Sequence, residues 1–278
     1  MSCGGEPGDA TGRAGRSRSL RRVVLCALLT AFTMLLAGIF ALPGSNPASA
    51  PSTEVQAGAS YTLGAYTAVS QSTDAARISN MAIAAHDLDG TQIAPGQTIS
   101  LNELLGDTGD DRRYSEAPAY DGEGTVPERG GGVCQVSSAV YVAALQAGLS
   151  IVERHAHSVA VDYVPVGLDA TLSYGSYDLK IRNGYAQPVA LQVQSDGQTV
   201  TASVLCTDPQ DSDEVERKAT SEVTSRYKGY AGGSTRADYY DVTAYLVTYR
   251  AGQKEGKEEI SSDTYQVLSE SNTQTAAE

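Results

Sequence analysis

The segment that most constrains the fold is a glycine-rich entry into an apolar run, formed by Gly130, Gly131 and Gly132. A cysteine follows almost at once, the apolar residues 139–145 come next, and a further glycine closes the run at Gly148. Glycines on both sides of an apolar run are typical of helix boundaries. The pattern therefore predicts a buried helix with Cys134 in its first turn.

The predicted position of Cys134 suits a nucleophile. Backbone N–H groups at a helix N-terminus lack intrahelical acceptors and favour an anion, so a thiol there tends to lose its proton. The same amides, together with the side chain of Gln135, would hold an oxyanion, and the three glycines would let the backbone approach a ligand closely. The alternative is a buried cysteine that only packs.

A nucleophilic cysteine needs a base, and the chain contains three histidines. His86 lies beside acidic residues at the end of a helical pattern, which indicates a surface position. His155 and His157 are in phase with apolar residues of segment 159–163, so a strand is predicted in which both rings share one face. His157 is the better candidate base and His155 a rim residue. A hydrogen-bonded core histidine is the alternative.

The base needs an acidic partner to orient it, and two aspartates are candidates. If the strand that holds His157 turned near Gly167 into a hairpin, Asp178 would lie opposite His157 and Asp169 would lie near the turn. A loop in place of that strand would instead favour Asp169. We rank Asp178 first. The chain order of cysteine, histidine and aspartate resembles that of papain-like and transglutaminase-like catalytic cores.

The same residues also admit a metal-binding interpretation. His155 and His157, with Cys134 or Asp169, are of the residue types that bind zinc. The chain has no paired Cys-x-x-Cys and no His-Glu-x-x-His motif. We therefore keep a metal-binding domain as an alternative, and expect no metal and no cofactor.

The N-terminal region predicts a single membrane span. Residues 1–22 carry five arginines, and residues 23–42 carry no charge. Such a stretch is long enough to cross a bilayer with the arginines in the cytoplasm. A cleaved signal peptide is the alternative, although the small-residue candidate at residues 48–50 is followed by Pro51. With residues 43–58 as a linker, the rest of the chain is expected outside the cytoplasm.

Charge and cysteine content limit what the predicted extracytoplasmic part can do. The chain carries a formal net charge of −13 while its first 22 residues are basic, so the remainder is strongly acidic. An acidic surface does not suit nucleic acid or anionic lipid. Cys134 and Cys206 would share an oxidising compartment. A bridge between them would remove the nucleophile, and we expect both thiols to remain free.

The pattern beyond the linker predicts an α+β fold. One domain is expected over residues 59–206, with helices near residues 75–87 and 102–105 before the cysteine helix. Strands are expected after it, including a hairpin in which segments 189–193 and 199–205 flank Ser195-Asp196-Gly197. Residues 207–219 are polar and mark a boundary, a β-rich extension follows to residue 267, and residues 268–278 are expected to be disordered.

At this point the motifs carry a family resemblance over roughly residues 60–206. Gly130 to Tyr141, His157-Ser158, Tyr163-Val164-Pro165, Asp169-Ala170-Thr171 and the segment from Asp178 to Asn183 together resemble the VanW family. Arg154 belongs to the same pattern and, with His155 and the three glycines, is taken as a binding residue. The resemblance implies a bacterial, extracytoplasmic or membrane-anchored protein associated with peptidoglycan, without a securely assigned activity.

Two function classes follow from these observations. The first is a cysteine-dependent acyl transferase or amidase that acts on peptide stems of the cell wall, with Cys134 as nucleophile, His157 as base and Asp178 or Asp169 as the orienting group. The second is a non-catalytic envelope module that binds cell-wall components or a partner, in which the glycine turn only packs.

Overall fold

A computed structural model of the chain describes residues 60–120, 125–208, 214–231 and 235–267. The predicted cytoplasmic tail, membrane span and linker lie outside these ranges, as do residues 268–278 and part of the acidic boundary. Among the described residues, no helix is both long and apolar enough to cross a membrane. The described residues belong to one compact unit.

The elements are mixed, with the helices in the first half of the domain. The sheets are antiparallel throughout the described ladders, so the predicted α+β class is confirmed. In chain order the elements are β1 (Tyr61–Val69), α1 (Ala75–Leu88), β2 (Gln92–Ile93), β3 (Thr98–Ser100), α2 (Leu101–Leu105), β4 (Glu116–Tyr120), β5 (Thr125–Arg129), α3 (Val133–Gln146), β6 (Ser150–Glu153), β7 (Lys180–Arg182), β8 (Val189–Asp196), β9 (Thr199–Cys206), β10 (Val215–Ala231), β11 (Thr235–Arg250) and β12 (Gln253–Val267).

Helix α3 is the buried helix predicted from the glycine punctuation. Almost all of its residues are buried because its sequence is apolar on every side. Strand β1 crosses it at Gly64, where an added Cβ would lie 2.3 Å from the amide nitrogen of Ala147 and 2.6 Å from the carbonyl of Ala143. The helix ends before Gly148, which has a φ of 74°. A side chain at residue 64 would force β1 away from the helix.

The largest sheet of the first half has the strand order β1-β9-β8-β2. Its centre is the hairpin of β8 and β9, which the alternating pattern predicts, and Gly197 supplies the positive φ that the turn requires. Helix α1 packs on β8, and α3 packs on β1 and β9. Alternate residues of β9 are buried, so the sheet presents one apolar face to these helices.

The predicted strand at residues 159–163 is not formed. Strands β6 and β7 pair directly, with Ile151 opposite Ile181. The residues between them, 154–179, form a long irregular loop, which is called the excursion below. Within it only isolated bridges occur, one of them between Val159 and Gln266. The alternation was misleading because the buried residues Val159, Val161 and Tyr163 lie in a loop that is covered by other elements.

The predicted β-rich extension forms a three-stranded sheet in the order β10-β11-β12. Val242 of β11 is fully buried against the excursion, and a Cβ added at Gly167 would lie 2.8 Å from one of its methyl groups. The end of β12 pairs with the excursion, since the amide of Gln266 donates to the carbonyl of Ser158 at 2.8 Å. This sheet therefore packs directly over the segment that carries His157.

Candidate active site

Cys134 is the second residue of α3, as the glycine pattern predicts. Its half-buried thiol lines a cavity of about 110 Å³. The amide of Leu172 donates to the sulfur at 3.5 Å, and the hydroxyl of Thr171 lies 3.7 Å from it. The sulfur therefore already accepts a backbone hydrogen bond, which favours the thiolate over the thiol.

Close packing and a hydrogen bond from α1 hold the glycine turn before Cys134 in place. A Cβ at Gly131 would lie 2.5 Å from the carbonyl oxygen of Ala117, and Gly132 begins the helix with a φ of 107°. The side chain of Asn80 donates to the carbonyl of Gly131 at 3.0 Å. Gly130, Gly131 and Gly132 also line the cavity. The three glycines thus allow a close-packed turn that lines the cavity beside the cysteine.

His157 and Cys134 line the same cavity, and each side chain shifts the pKa of the other. The ring nitrogen Nδ1 of His157 is 2.6 Å from Oδ2 of Asp169. Because Nδ1 is engaged in this way, Nε2 is the nitrogen that faces the cavity, and the hydroxyl of Tyr163 is 3.5 Å from it. The side chain of His157 is only 9 % exposed and that of Asp169 is fully buried.

The charges of the three groups support one another. Burial alone would lower the pKa of His157, but its hydrogen bonds with Asp169 and Cys134 outweigh burial and raise that pKa to about 9. Burial alone would raise the pKa of Cys134, but the hydrogen bond and charge of His157 lower it below its ordinary value. Each charged form thus stabilises the other, so the thiolate–imidazolium pair forms more readily than it would from an isolated cysteine and histidine.

Asp169 is anchored by a second set of donors on its other oxygen. Oδ1 accepts a hydrogen bond from the hydroxyl of Tyr265 at 2.6 Å and one from Nη2 of Arg154 at 3.2 Å. Arg154 also forms an ion pair with Asp263, with Nη1 2.5 Å from Oδ2. Despite burial, the hydrogen bonds and charges of His157 and Arg154 hold the pKa of Asp169 below its ordinary value. Arg154 was expected to bind a ligand, and instead it supports the aspartate.

The first-ranked acidic partner, Asp178, does not meet His157. Its carboxylate accepts hydrogen bonds from the hydroxyl of Ser100 at 2.6 Å and from the amide of Asn102 at 3.0 Å, at the start of α2. The expected hairpin about Gly167 is absent, so the register that would place Asp178 opposite His157 does not exist. The segment after His157 forms a loop in place of the expected strand, and this loop places Asp169 beside His157.

The side chains of Gln135 and His155 also contact groups outside the Cys134–His157–Asp169 site. The side chain of Gln135 is fully buried, donates to the carbonyl of Gln198 at 2.9 Å and accepts from Arg77 at 3.1 Å, so it cannot hold an oxyanion in the cavity. The ring of His155 bonds to Glu153 and packs on Tyr177. Among the described residues, no three His, Cys, Asp or Glu side chains are grouped to hold a metal ion.

Two residues of the site carry no local signal in the sequence. Tyr163 lies in the misread alternation, is 4 % exposed and contacts the histidine through its hydroxyl. Tyr265 is separated from Asp169 by 96 positions. Its place in an alternating strand predicts burial but not the partner. Cys134 is a free thiol and is not bridged to Cys206.

Fold and site together define an α+β protein with a Cys–His–Asp arrangement at the N-terminus of a buried helix. Residues 76–205 match the family described as VanW like protein. The chain is 35 % identical over 147 residues to "Uncharacterized protein YoaR" of Bacillus subtilis (strain 168), an alignment that covers 52 % of this chain and 48 % of that protein. The chain therefore contains a VanW-like domain over residues 76–205.

A second relative is the "Vancomycin B-type resistance protein VanW" of Enterococcus faecalis (strain ATCC 700802 / V583). It is 30 % identical over 134 residues, which cover 46 % of this chain and 49 % of that protein. The chain thus spans about half the length of these curated relatives. No solved structure matches the chain. The resemblance to the VanW family predicted from the motifs is confirmed. Tyr265 lies beyond the residues that match the family.

Proposed function

We propose that this protein is a cysteine-dependent acyl transferase or amidase that acts on peptide stems of the bacterial cell wall. The observation that carries the proposal is the grouping of Asp169, His157 and Cys134: the carboxylate holds the imidazole at 2.6 Å, and the imidazole and the thiol line one cavity. A nucleophile, a base and an orienting carboxylate at one site are the minimum set for covalent acyl transfer. The cavity beside the thiol gives a substrate access to it.

The chemistry would proceed in two steps. The thiolate of Cys134 attacks an amide carbonyl, a C–S bond forms, and the carbonyl electron pair moves to the oxygen. The amide N–H of Cys134 has no backbone acceptor among the described residues and would stabilise that oxyanion. His157 then donates its Nε2 proton to the leaving nitrogen as the C–N bond breaks. Water or an amine, deprotonated by His157, releases the acyl group from sulfur.

The VanW-like domain and the name of one relative support the cell wall as the site of action. One relative is named a vancomycin resistance protein, and vancomycin is an antibiotic directed at the cell wall. We further propose that residues 23–42 anchor the chain in the cell membrane, with residues 1–22 in the cytoplasm and the VanW-like domain outside. Accessibility of the domain to protease added to intact cells tests that orientation.

Alkylation of Cys134 by iodoacetamide tests the nucleophile. The full 278-residue chain is labelled across pH 4–10, and the rate at the peptide containing Cys134 is read by mass spectrometry. We expect the midpoint of thiolate formation to lie well below the value of about 8.5 for a free cysteine. Cys206→Ala is the matched control and should leave the profile unchanged, because Cys206 is buried in β9. An ordinary midpoint at Cys134 would refute the proposal.

A trapping experiment tests the reaction. Wild-type protein is incubated with cell-wall stem peptides, quenched in acid and examined for a mass increase on Cys134 that hydroxylamine removes. Cys134→Ser and His157→Gln should lose this adduct, while Cys206→Ala should keep it.

A non-catalytic envelope module is the second candidate, and the packing of the glycine turn favours it. Gly131 and Gly132 are each required by close contacts, with Ala117 and with Arg77, whether or not the cysteine reacts. Cell-wall pull-down with a folded Cys134→Ala protein separates the two. Undiminished binding without any trapped adduct in the wild type would favour the module.

A further inference from the structure

The C-terminal sheet reaches the candidate active site through one side chain. Tyr265 of β12 is fully buried, and its hydroxyl donates to Oδ1 of Asp169 at 2.6 Å. Nη2 of Arg154 donates to both oxygens of this contact, to the phenol at 3.3 Å and to the carboxylate at 3.2 Å. The aspartate is therefore held from the side opposite the histidine by a residue outside the matched VanW region.

Tyr265 can act on Asp169 only as a hydrogen-bond donor. Burial, followed by the neighbouring charge of Asp169, raises the pKa of Tyr265 far above its ordinary value, so the phenol keeps its proton near neutral pH. Tyr265 and Arg154 both donate to Oδ1 of Asp169, and the contact from Tyr265 is the shorter, 2.6 Å against 3.2 Å. With these donors on Oδ1 and His157 on Oδ2, the carboxylate plane is set from both sides.

The same strand also holds the backbone beside His157. The amide of Gln266 donates to the carbonyl of Ser158 at 2.8 Å, and the amide of Ala160 donates to the carbonyl of Gln266 at 3.4 Å. Consecutive residues of β12 therefore fix the aspartate and the loop that follows the histidine. This loop has no regular ladder of its own among the described residues, so its conformation depends on β12.

We propose that Tyr265 is a positioning residue for the Asp169–His157 pair, and that the C-terminal sheet is a required part of the reactive centre. This inference rests on the proposed function of Cys134. The sheet adds no group that touches the sulfur. It orients the carboxylate that orients the imidazole, and through that series it sets how readily Cys134 forms a thiolate.

The test is the pH profile of Cys134 alkylation in Tyr265→Phe, which removes one oxygen and retains the ring. We expect the midpoint to rise and the rate at pH 6 to fall about tenfold, the order expected for loss of one hydrogen bond to a charged group. Tyr114→Phe is the matched control: Tyr114 is also fully buried, its hydroxyl has no hydrogen-bond partner in the described part of the chain, and the profile of this variant should equal that of the wild type. A folded Tyr265→Phe protein with a wild-type profile would overturn the inference.

A double-mutant cycle separates positioning from general loosening. In an Asp169→Asn background, Tyr265→Phe should change the profile no further, since its partner has already been altered. Full additivity of the two effects would count against the inference. The proposed function fails by a different result, namely an ordinary midpoint in the wild type. A lowered wild-type midpoint that Tyr265→Phe leaves unchanged rejects the role of Tyr265 alone.

Discussion

Oδ2 of Asp169 receives two donors from His157, the ring Nδ1 at 2.6 Å and the backbone amide at 2.8 Å. The two contacts fix both the position of the residue and the orientation of its ring. A ring so held directs Nε2 toward the thiol of Cys134, which is what proton transfer at sulfur requires. The pairing also explains why both His157 and Asp169 are almost completely shielded from solvent yet charged.

The two candidate aspartates are expected to behave differently when neutralised. Asp169→Asn should raise the midpoint of Cys134 alkylation by about one pH unit or more, because the imidazolium loses its charged partner. Asp178→Asn should leave the midpoint unchanged, since Asp178 bonds to Ser100 and Asn102 at the start of α2. The measurement is the pH-dependent rate of iodoacetamide labelling in both variants. A shift in Asp178→Asn equal to that in Asp169→Asn would contradict the assignment.

The Cys134–His157 pair should also affect how the free energy of unfolding depends on pH. The raised pKa of His157, about 9, stabilises the fold below the unfolded value of about 6.5. That contribution is lost as pH rises through 9. The lowered pKa of Cys134 acts in the opposite sense, adding stability as pH rises toward the unfolded thiol value of about 8.5. Where the two pH ranges overlap the effects oppose each other, so the stability of the wild type should depend less on pH than the histidine alone would make it.

In Cys134→Ala the thiolate contribution is gone, and His157 keeps Asp169 but loses Cys134, so the pKa of His157 should stay raised by a smaller amount. The free energy of unfolding should then fall as pH rises above about 6.5, by at most about 1.4 kcal/mol per pH unit, until His157 loses its proton in the folded state. Urea denaturation at half-unit pH intervals measures this slope. Cys206→Ala, which leaves the pair intact, should keep the wild-type profile. A flat profile in Cys134→Ala would show that Asp169 alone does not keep His157 charged in the folded variant.

The glycine turn is expected to tolerate no side chain at its centre. Gly131→Ala would place a Cβ 2.5 Å from the carbonyl oxygen of Ala117 and 2.9 Å from that of Pro118. Both neighbours are backbone atoms, so relief requires a chain shift, and we expect a loss of stability of about 1–3 kcal/mol. Gly184→Ala is the matched control, because nothing lies within 4 Å of its Cβ. Thermal unfolding followed by circular dichroism compares the two, and equal melting temperatures would disprove the close contact.

Several features follow from local pattern alone. The start of α3 before Cys134 and its end before Gly148 could be predicted because helix boundaries depend on neighbouring residues. The β8–β9 hairpin could be predicted for the same reason, since its turn chemistry is contained in three adjacent residues. His157 could be chosen as the base because the chain has few histidines and one other, His86, lies at a helix end.

The sequence by itself thus predicted the helix that begins before Cys134, the candidate nucleophile and the candidate base. Only the tertiary structure decided that Asp169, not Asp178, orients His157, and that Tyr265 from the last strand holds Asp169 in place. The excursion between β6 and β7 obeys no periodicity, because its residues are buried by other elements and not by a ladder of their own. Contacts across 96 positions arise from how the C-terminal sheet packs on that loop, which no local pattern encodes.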